Sequence, residues 1–129
     1  MSYNKTTETN TDAPHCAEIW MCWLPENNGS VQSGYRPVFI SSNDMNNKYA
    51  PTLNIIPITS KTKKRLPIHV ELDHYQDYGL SSFSTMLVEQ IMTVSASALD
   101  HRIGKITDGD TLRRISEAMA IQLPCFAAN

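Results

Sequence analysis

Residues 17–24, AEIWMCWL, are apolar on both alternating faces and rich in aromatic side chains. That pattern predicts a first strand, buried on one side and covered on the other. The next stretch, residues 25–35, PENNGSVQSGY, has no apolar period, and Pro25, Asn27, Asn28, Gly29, Ser30 and Gly34 supply turn chemistry. It predicts a flexible loop of about ten residues, longer than the roughly two to five of an ordinary hairpin, and such surplus length often carries function. RPVFISS, from Arg36, reads as a second strand with Pro37 near its entrance, where a missing donor costs least. The proline also biases Arg36 towards extended backbone. SNDMNNKYAPT reads as a loop, and TLNIIPITS, residues 52–60, as a third strand ending in Thr59 and Ser60. Residues 61–65 form a basic turn.

The clearest alternation is LPIHVEL, with Leu66, Ile68, Val70 and Leu72 on one face and Pro67, His69 and Glu71 on the other. It predicts a half-exposed strand. After the polar turn DHYQDYG, STMLVEQIMTV supplies another strand or two, and SASALDHRI reads as a helical stretch. From about Thr107 the period becomes helical, with Thr107 or Asp108 as cap, Leu112, Ile115, Met119 and Leu123 recurring at three- and four-residue steps, and Pro124 as the stop. Strands followed by one amphipathic helix, without βαβ alternation, predict a mainly β, α+β fold: a small antiparallel barrel packed by helices.

With 129 residues, 41% hydrophobic and 19% charged, the chain suits one small domain, placed at residues 16–129. The first fifteen residues, MSYNKTTETNTDAPH, lack large aliphatic side chains and read as a flexible tail. They contain no signal-peptide core, and no apolar run is long enough to span a bilayer, so a cytoplasmic location with no membrane partner is expected. Cys16, Cys22 and Cys125 are odd in number and form no CxxC pair, which argues against a disulfide framework or a zinc site and for free, mostly packed thiols. A net charge of -2 argues against broad binding to duplex DNA.

The stretch GSVQSGYRPVFISSND resembles the loop and second strand of the MazF/PemK toxin family, whose pattern runs approximately Gly-Ser-Glu-Gln, two spacers, then Tyr/His/Val-Arg-Pro. PTLNIIPITS, LPIHVEL, a Gly-Leu followed by serine, LVEQI with a nearby threonine, and the C-terminal helix follow in the family's order, so the resemblance covers residues 17–123. A lone Gly-x-Arg-Pro is a weak signal; ordered blocks at compatible spacing are much stronger. The resemblance implies an SH3-like, PemK-type barrel and a homodimer. It further implies sequence-specific cleavage of single-stranded RNA, including mRNA, without metal or other cofactor, leaving a 2',3'-cyclic phosphate and a 5'-hydroxyl. The implied inhibitor is a MazE-like antitoxin with an acidic, disordered segment.

Such cleavage uses the neighbouring 2'-hydroxyl as nucleophile, so the protein must stabilise phosphorane charge and manage two protons. Arg36 offers a planar, permanently charged fork for two phosphate oxygens, and Thr59 a hydroxyl for the same phosphate. Taken singly, Arg36 fits a surface ion pair and Thr59 a strand-end residue equally well; the family pattern favours catalysis. Ser30, Gln32, Tyr35, Ser60, Ser84, Glu89 and Gln90 are the candidate RNA-binding residues, against solvated-turn or exposed-strand roles. Trp20 and Trp23 fit the core or a dimer interface better than base stacking. Lys61, Lys63, Lys64 and Arg65 suit either an RNA backbone or a solvated turn. His15, His69, His74 and His101 are scattered without ligand spacing, and no general base stands out, although Glu89 is chemically possible. Val31 replaces the family loop's usual Glu, and Ala17-Glu18 replaces its Gly-Asp. Two rivals share these features: a gyrase-poisoning, non-enzymatic toxin on the same barrel, and an SH3-like binding module.

Overall fold

A computed structural model describes residues 13–61 and 66–126. Seven strands, β1 (Glu18–Leu24), β2 (Gly34–Ile40), β3 (Thr52–Thr59), β4 (His69–Leu72), β5 (Ser84–Leu87), β6 (Met92–Ser95) and β7 (Leu99–Lys105), pair antiparallel in the order β4-β5-β3-β2-β1-β7, with β6 beside β3. The described residues also form two α-helices, α1 (Asp44–Tyr49) and α2 (Gly109–Gln122). The antiparallel architecture and C-terminal helix match the expectation, but the strand path ends at β4 and β7 and does not close into a barrel.

Alternation along the strands sorts apolar side chains into two cores. Ile56 and Ile58 of β3 join Ile19, Phe39, Val70, Leu72 and Met86 beneath Ile115 and Ala118 of α2. Leu53 and Ile55 of the same strand join Cys22, Leu24, Val38, Ile40 and Val94 on the other face. Burying each such aliphatic side chain stabilises the fold by about 1.5–3 kcal/mol. Among the described residues the second core is flanked by the half-buried Trp20, Met92, Ala96, Ala98 and Leu99, and neither α1 nor α2 contributes to it.

Four local expectations change. The stretch read as a loop after β2 contains α1, a six-residue helix whose cap Asn43 accepts a hydrogen bond from the Asn46 amide. SASALDHRI is not helical beyond a single 3-10 turn, Ala96–Ala98, because Leu99–Lys105 is taken into the sheet as β7 beside β1. Leu66 is exposed, so the alternating strand begins only at His69. Of the three thiols expected to be mostly packed, only Cys22 is buried; Trp23 is 61% exposed and so lies outside the core, which leaves the interface half of its expectation.

Residues 1–12 of the expected tail lie outside the described residues; His15 donates its amide to Glu18 and sets its ring 3.3 Å from Asp44. Ala17 stands at φ 76, the left-handed region, where the family pattern has glycine. Glu18 beside it is buried and holds Trp20 Nε1 and Arg102. Close beside them on β7, where Gly104 pairs with Ile19, Gly79 (φ 82) and Gly104 cross so closely that a Cβ on either would lie 1.9 Å from the other segment's carbonyl oxygen.

Candidate active site

The β2–β3 ladder ends at Val38 opposite Pro57, and two residues further along the respective strands stand Arg36 and Thr59. Thr59 pairs with Thr85 of β5, and Thr85 with Glu71 of β4. Their sequence neighbours Ile58, Met86, Val70 and Leu72 lie in the core under α2, so strand alternation turns Thr59, Thr85 and Glu71 to the opposite face. Arg36 shares that face with Val38 and Ile40 of the second core. A polar row Arg36, Thr59, Thr85, Glu71 thus crosses four neighbouring strands, with His69 on the same face one alternation beyond Glu71.

Arg36 is half-buried, and its Nε donates to the Ser33 carbonyl at 2.6 Å. Among the described residues it has no ion-pair partner, so its terminal nitrogens keep their charge unneutralised. Thr59 is 1% exposed, and its Oγ1 accepts from the Lys61 amide at 3.2 Å. Its hydroxyl proton is directed to no described acceptor. Cys22, the β1 partner of Arg36, has its thiol pushed up to about 11 by burial, which disfavours the thiolate near neutral pH.

A register slip supplies the wall of the site. Ile58 pairs with Met86, whereas Ile55, three residues earlier, pairs with Met92, six residues later. The three surplus residues are the 3-10 turn Val88–Gln90, which carries Glu89 and Gln90 out of the ladder. Glu89 Oε2 lies 3.1 Å from His69 Nε2. Gln90 reaches the β1–β2 loop, accepting from the Gln32 amide through Oε1 at 2.7 Å and donating through Nε2 to the Ser30 carbonyl at 3.2 Å.

Four buried side-chain atoms lack a hydrogen-bond partner among the described residues, and three of them, Gln32 Oε1, His69 Nδ1 and Glu89 Oε1, belong to this wall and loop. Unmet buried polar groups are costly in a fold and gather where ligands are handled.

The other expected residues fall differently. Tyr35 alternates away from Arg36, packs its ring 4.5 Å from Trp23, and donates its hydroxyl to Asp100 at 2.5 Å. That bond raises the Tyr35 phenol above its ordinary range. Ser84 is buried, pairs with Leu72 on the α2 side, and donates to the Ser82 carbonyl. Ser30, Ser60 and Lys61 are exposed; Lys63, Lys64 and Arg65 lie outside the described residues. A shallow groove of about 510 Å³ lined by His15, Glu18, Trp20, Asp100, His101 and Arg102 contains none of the row. No three His, Cys, Asp or Glu side chains among the described residues converge on a metal-sized point.

Sequence reasoning missed His69, Glu71 and Thr85. The alternation of LPIHVEL already placed His69 and Glu71 on one face. What it lacked was the knowledge that this face continues into Thr59.

Comparison with known proteins bears on the chain as a whole. Residues 15–123 match the family described as PemK-like, MazF-like toxin of type II toxin-antitoxin system. The chain is 38% identical to Endoribonuclease EndoA of Bacillus subtilis (strain 168) over 96 residues, 74% of this chain and 81% of that protein. Among solved structures, MazF from Deinococcus radiodurans superposes with a TM-score of 0.73 at 18% identity, covering 88% of this chain and 98% of the other. An endoribonuclease in complex with its cognate antitoxin, from a mycobacterial species, gives 0.66 at 22% identity, covering 86% and 95%. The open sheet, the C-terminal helix and the match over residues 15–123 agree: the chain belongs to the PemK-like, MazF-like toxin family of type II toxin-antitoxin systems.

Proposed function

We propose that this chain is a toxin endoribonuclease that cuts single-stranded RNA at specific sequences, with no metal or cofactor, using Arg36 and Thr59 at the scissile phosphate. The observation that carries this reading is the pairing of an un-neutralised arginine with a buried threonine hydroxyl, on the sheet face that α2 leaves uncovered.

The 2'-hydroxyl attacks phosphorus as the bond to the 5'-oxygen breaks. Arg36 holds the non-bridging oxygens with its terminal nitrogens, and Thr59 donates its hydroxyl proton to one of them. Glu89, its Oε2 held by His69 and its Oε1 unmatched, takes the proton from the 2'-hydroxyl. Arg36, following the family pattern, gives a proton to the departing 5'-oxygen. The products are a 2',3'-cyclic phosphate and a 5'-hydroxyl.

The working unit is a homodimer in which the open side of the second core, at Trp20, Met92 and Leu99, packs on its counterpart. The toxin acts on mRNA in the cytoplasm; no described helix is long and apolar enough to cross a membrane. A MazE-like antitoxin lays an acidic, disordered segment along the Arg36 face and blocks RNA. The solved relative bound to its cognate antitoxin supports this partner class.

A substrate carrying a 2'-deoxy or 2'-O-methyl sugar at the cut nucleotide tests the mechanism. It is expected to resist cleavage, and the unmodified strand to yield cyclic phosphate ends. Cleavage of the modified strand, or 5'-phosphate products, would contradict it.

A further inference from the structure

We propose that Gln90 is the latch of the β1–β2 loop, and that this latch sets cleavage specificity by fixing Gln32 and Arg36 before RNA arrives. The specificity half of this proposal rests on the endoribonuclease reading; the latch half does not.

Both ends of the Gln90 amide are engaged on the loop, with Oε1 on the Gln32 amide at 2.7 Å and Nε2 on the Ser30 carbonyl at 3.2 Å. These bonds join residues 58 and 60 positions apart, so the 3-10 turn holds the loop from outside it. The loop is also braced from within. Asn27 spans it internally, donating to the Val31 carbonyl and accepting from the Gly29 amide, both at 2.8 Å. Its exit is Gly34 at φ 82, a conformation glycine adopts without strain, and just before it the Ser33 carbonyl accepts from Arg36 Nε. A change at the latch is therefore transmitted through one braced segment to the guanidinium.

The latch also explains the state of Gln32. The residue is only 7% exposed, and its Oε1 has no partner among the described residues. An acceptor buried without a donor offsets part of what the Gln90 bonds contribute, so the closed loop is held but not locked. The missing partner has definite chemistry: an N–H donor, such as the exocyclic amine on the edge of an unpaired base. RNA that supplies this donor satisfies the loop; RNA that does not leaves the acceptor unmet.

The experiment is amide hydrogen exchange at Gln32 in the RNA-free protein, by NMR, in wild type, Gln90→Ala and Gln90→Glu, followed by mapping of RNA ends for each. Glutamate keeps an acceptor for the Gln32 amide while losing the donor to Ser30, and so serves as the conservative control. The expected result is protection of the Gln32 amide by roughly tenfold or more in wild type and Gln90→Glu, lost in Gln90→Ala. Gln90→Ala should then cut at sequences wild type ignores. Equal exchange at Gln32 in wild type and Gln90→Ala overturns the latch whether or not any RNA is cut. Lost protection with an unchanged set of cuts overturns its role in specificity. Retained protection with altered preference at one base position makes Gln90 a direct reader of RNA, against the proposal. Wild type that cuts no RNA refutes the enzymatic reading and with it the specificity role, while the exchange comparison still decides the latch.

Discussion

Arg36 shows how little of a residue's role lies in the residue alone. Its charge is common; what sets it apart is that Nε is tied to Ser33 while no described carboxylate meets its terminal nitrogens. A fork held at one nitrogen presents two donors in a fixed plane, which suits a phosphate better than a mobile point charge does. Arg36→Lys keeps the charge and loses the fork. In single-turnover cleavage of an oligonucleotide it is expected to be slower by about 100-fold or more; a rate near wild type would show that charge alone suffices. Arg36 and Thr59 could be proposed from the sequence because the Gly-Ser-Val-Gln and Ile-Thr-Ser contexts lie beside them. His69 could not, since a single histidine acquires meaning only from the glutamate beside it, and Glu89 is twenty residues away. Ala17 teaches the same lesson in reverse. Its departure from the family's glycine was visible in the sequence, but the left-handed φ that makes glycine usual there was not.

Among the elements, those with a strong period were readable and those defined by their neighbours were not. Strand β4 follows from alternation, β1 from an apolar, aromatic run, and helix α2 from three- and four-residue spacing and the stop at Pro124. SASALDHRI reads as helical, yet only Ala96–Ala98 forms a 3-10 turn, because pairing with β1 takes the following residues as strand. The three-residue surplus at Val88–Gln90 was unreadable, because a register slip exists only once two strands are paired. The start of α2 carries a prediction of its own. Asp108 accepts from the Thr111 amide as cap and from the Tyr78 hydroxyl at 2.6 Å. The bonds from Thr111 and then Tyr78 lower its carboxyl from 3.8 to about 2, while burial and Asp108 push the Tyr78 phenol up to about 12. Asp108→Ala should cost about 1–2 kcal/mol at neutral pH, read from urea unfolding. Because the folded carboxyl is depressed, this stabilisation is present above the unfolded value of 3.8 and is lost as pH falls towards about 2. The gap between wild type and variant should therefore close across that window; a gap of constant size would mean that the cap's charge contributes nothing.

On the scale of the whole molecule, a chain of net charge -2 is proposed to bind a polyanion. The resolution is local: Arg36 on the uncovered face has no ion-pair partner among the described residues, while Asp100, Asp108 and Asp110 are paired elsewhere. Such a surface suits a short unpaired segment better than a duplex, whose affinity grows with the number of phosphates neutralised. It also suits an acidic inhibitor competing for the same cation. The most direct measurement is incubation of the purified protein with a long single-stranded RNA in excess EDTA, with every new end mapped to the nucleotide. Wild type should give discrete cuts at a recurring sequence, and Arg36→Ala should reduce them by at least about 100-fold. Absence of discrete cuts in wild type, or cuts undiminished in Arg36→Ala, would contradict the account.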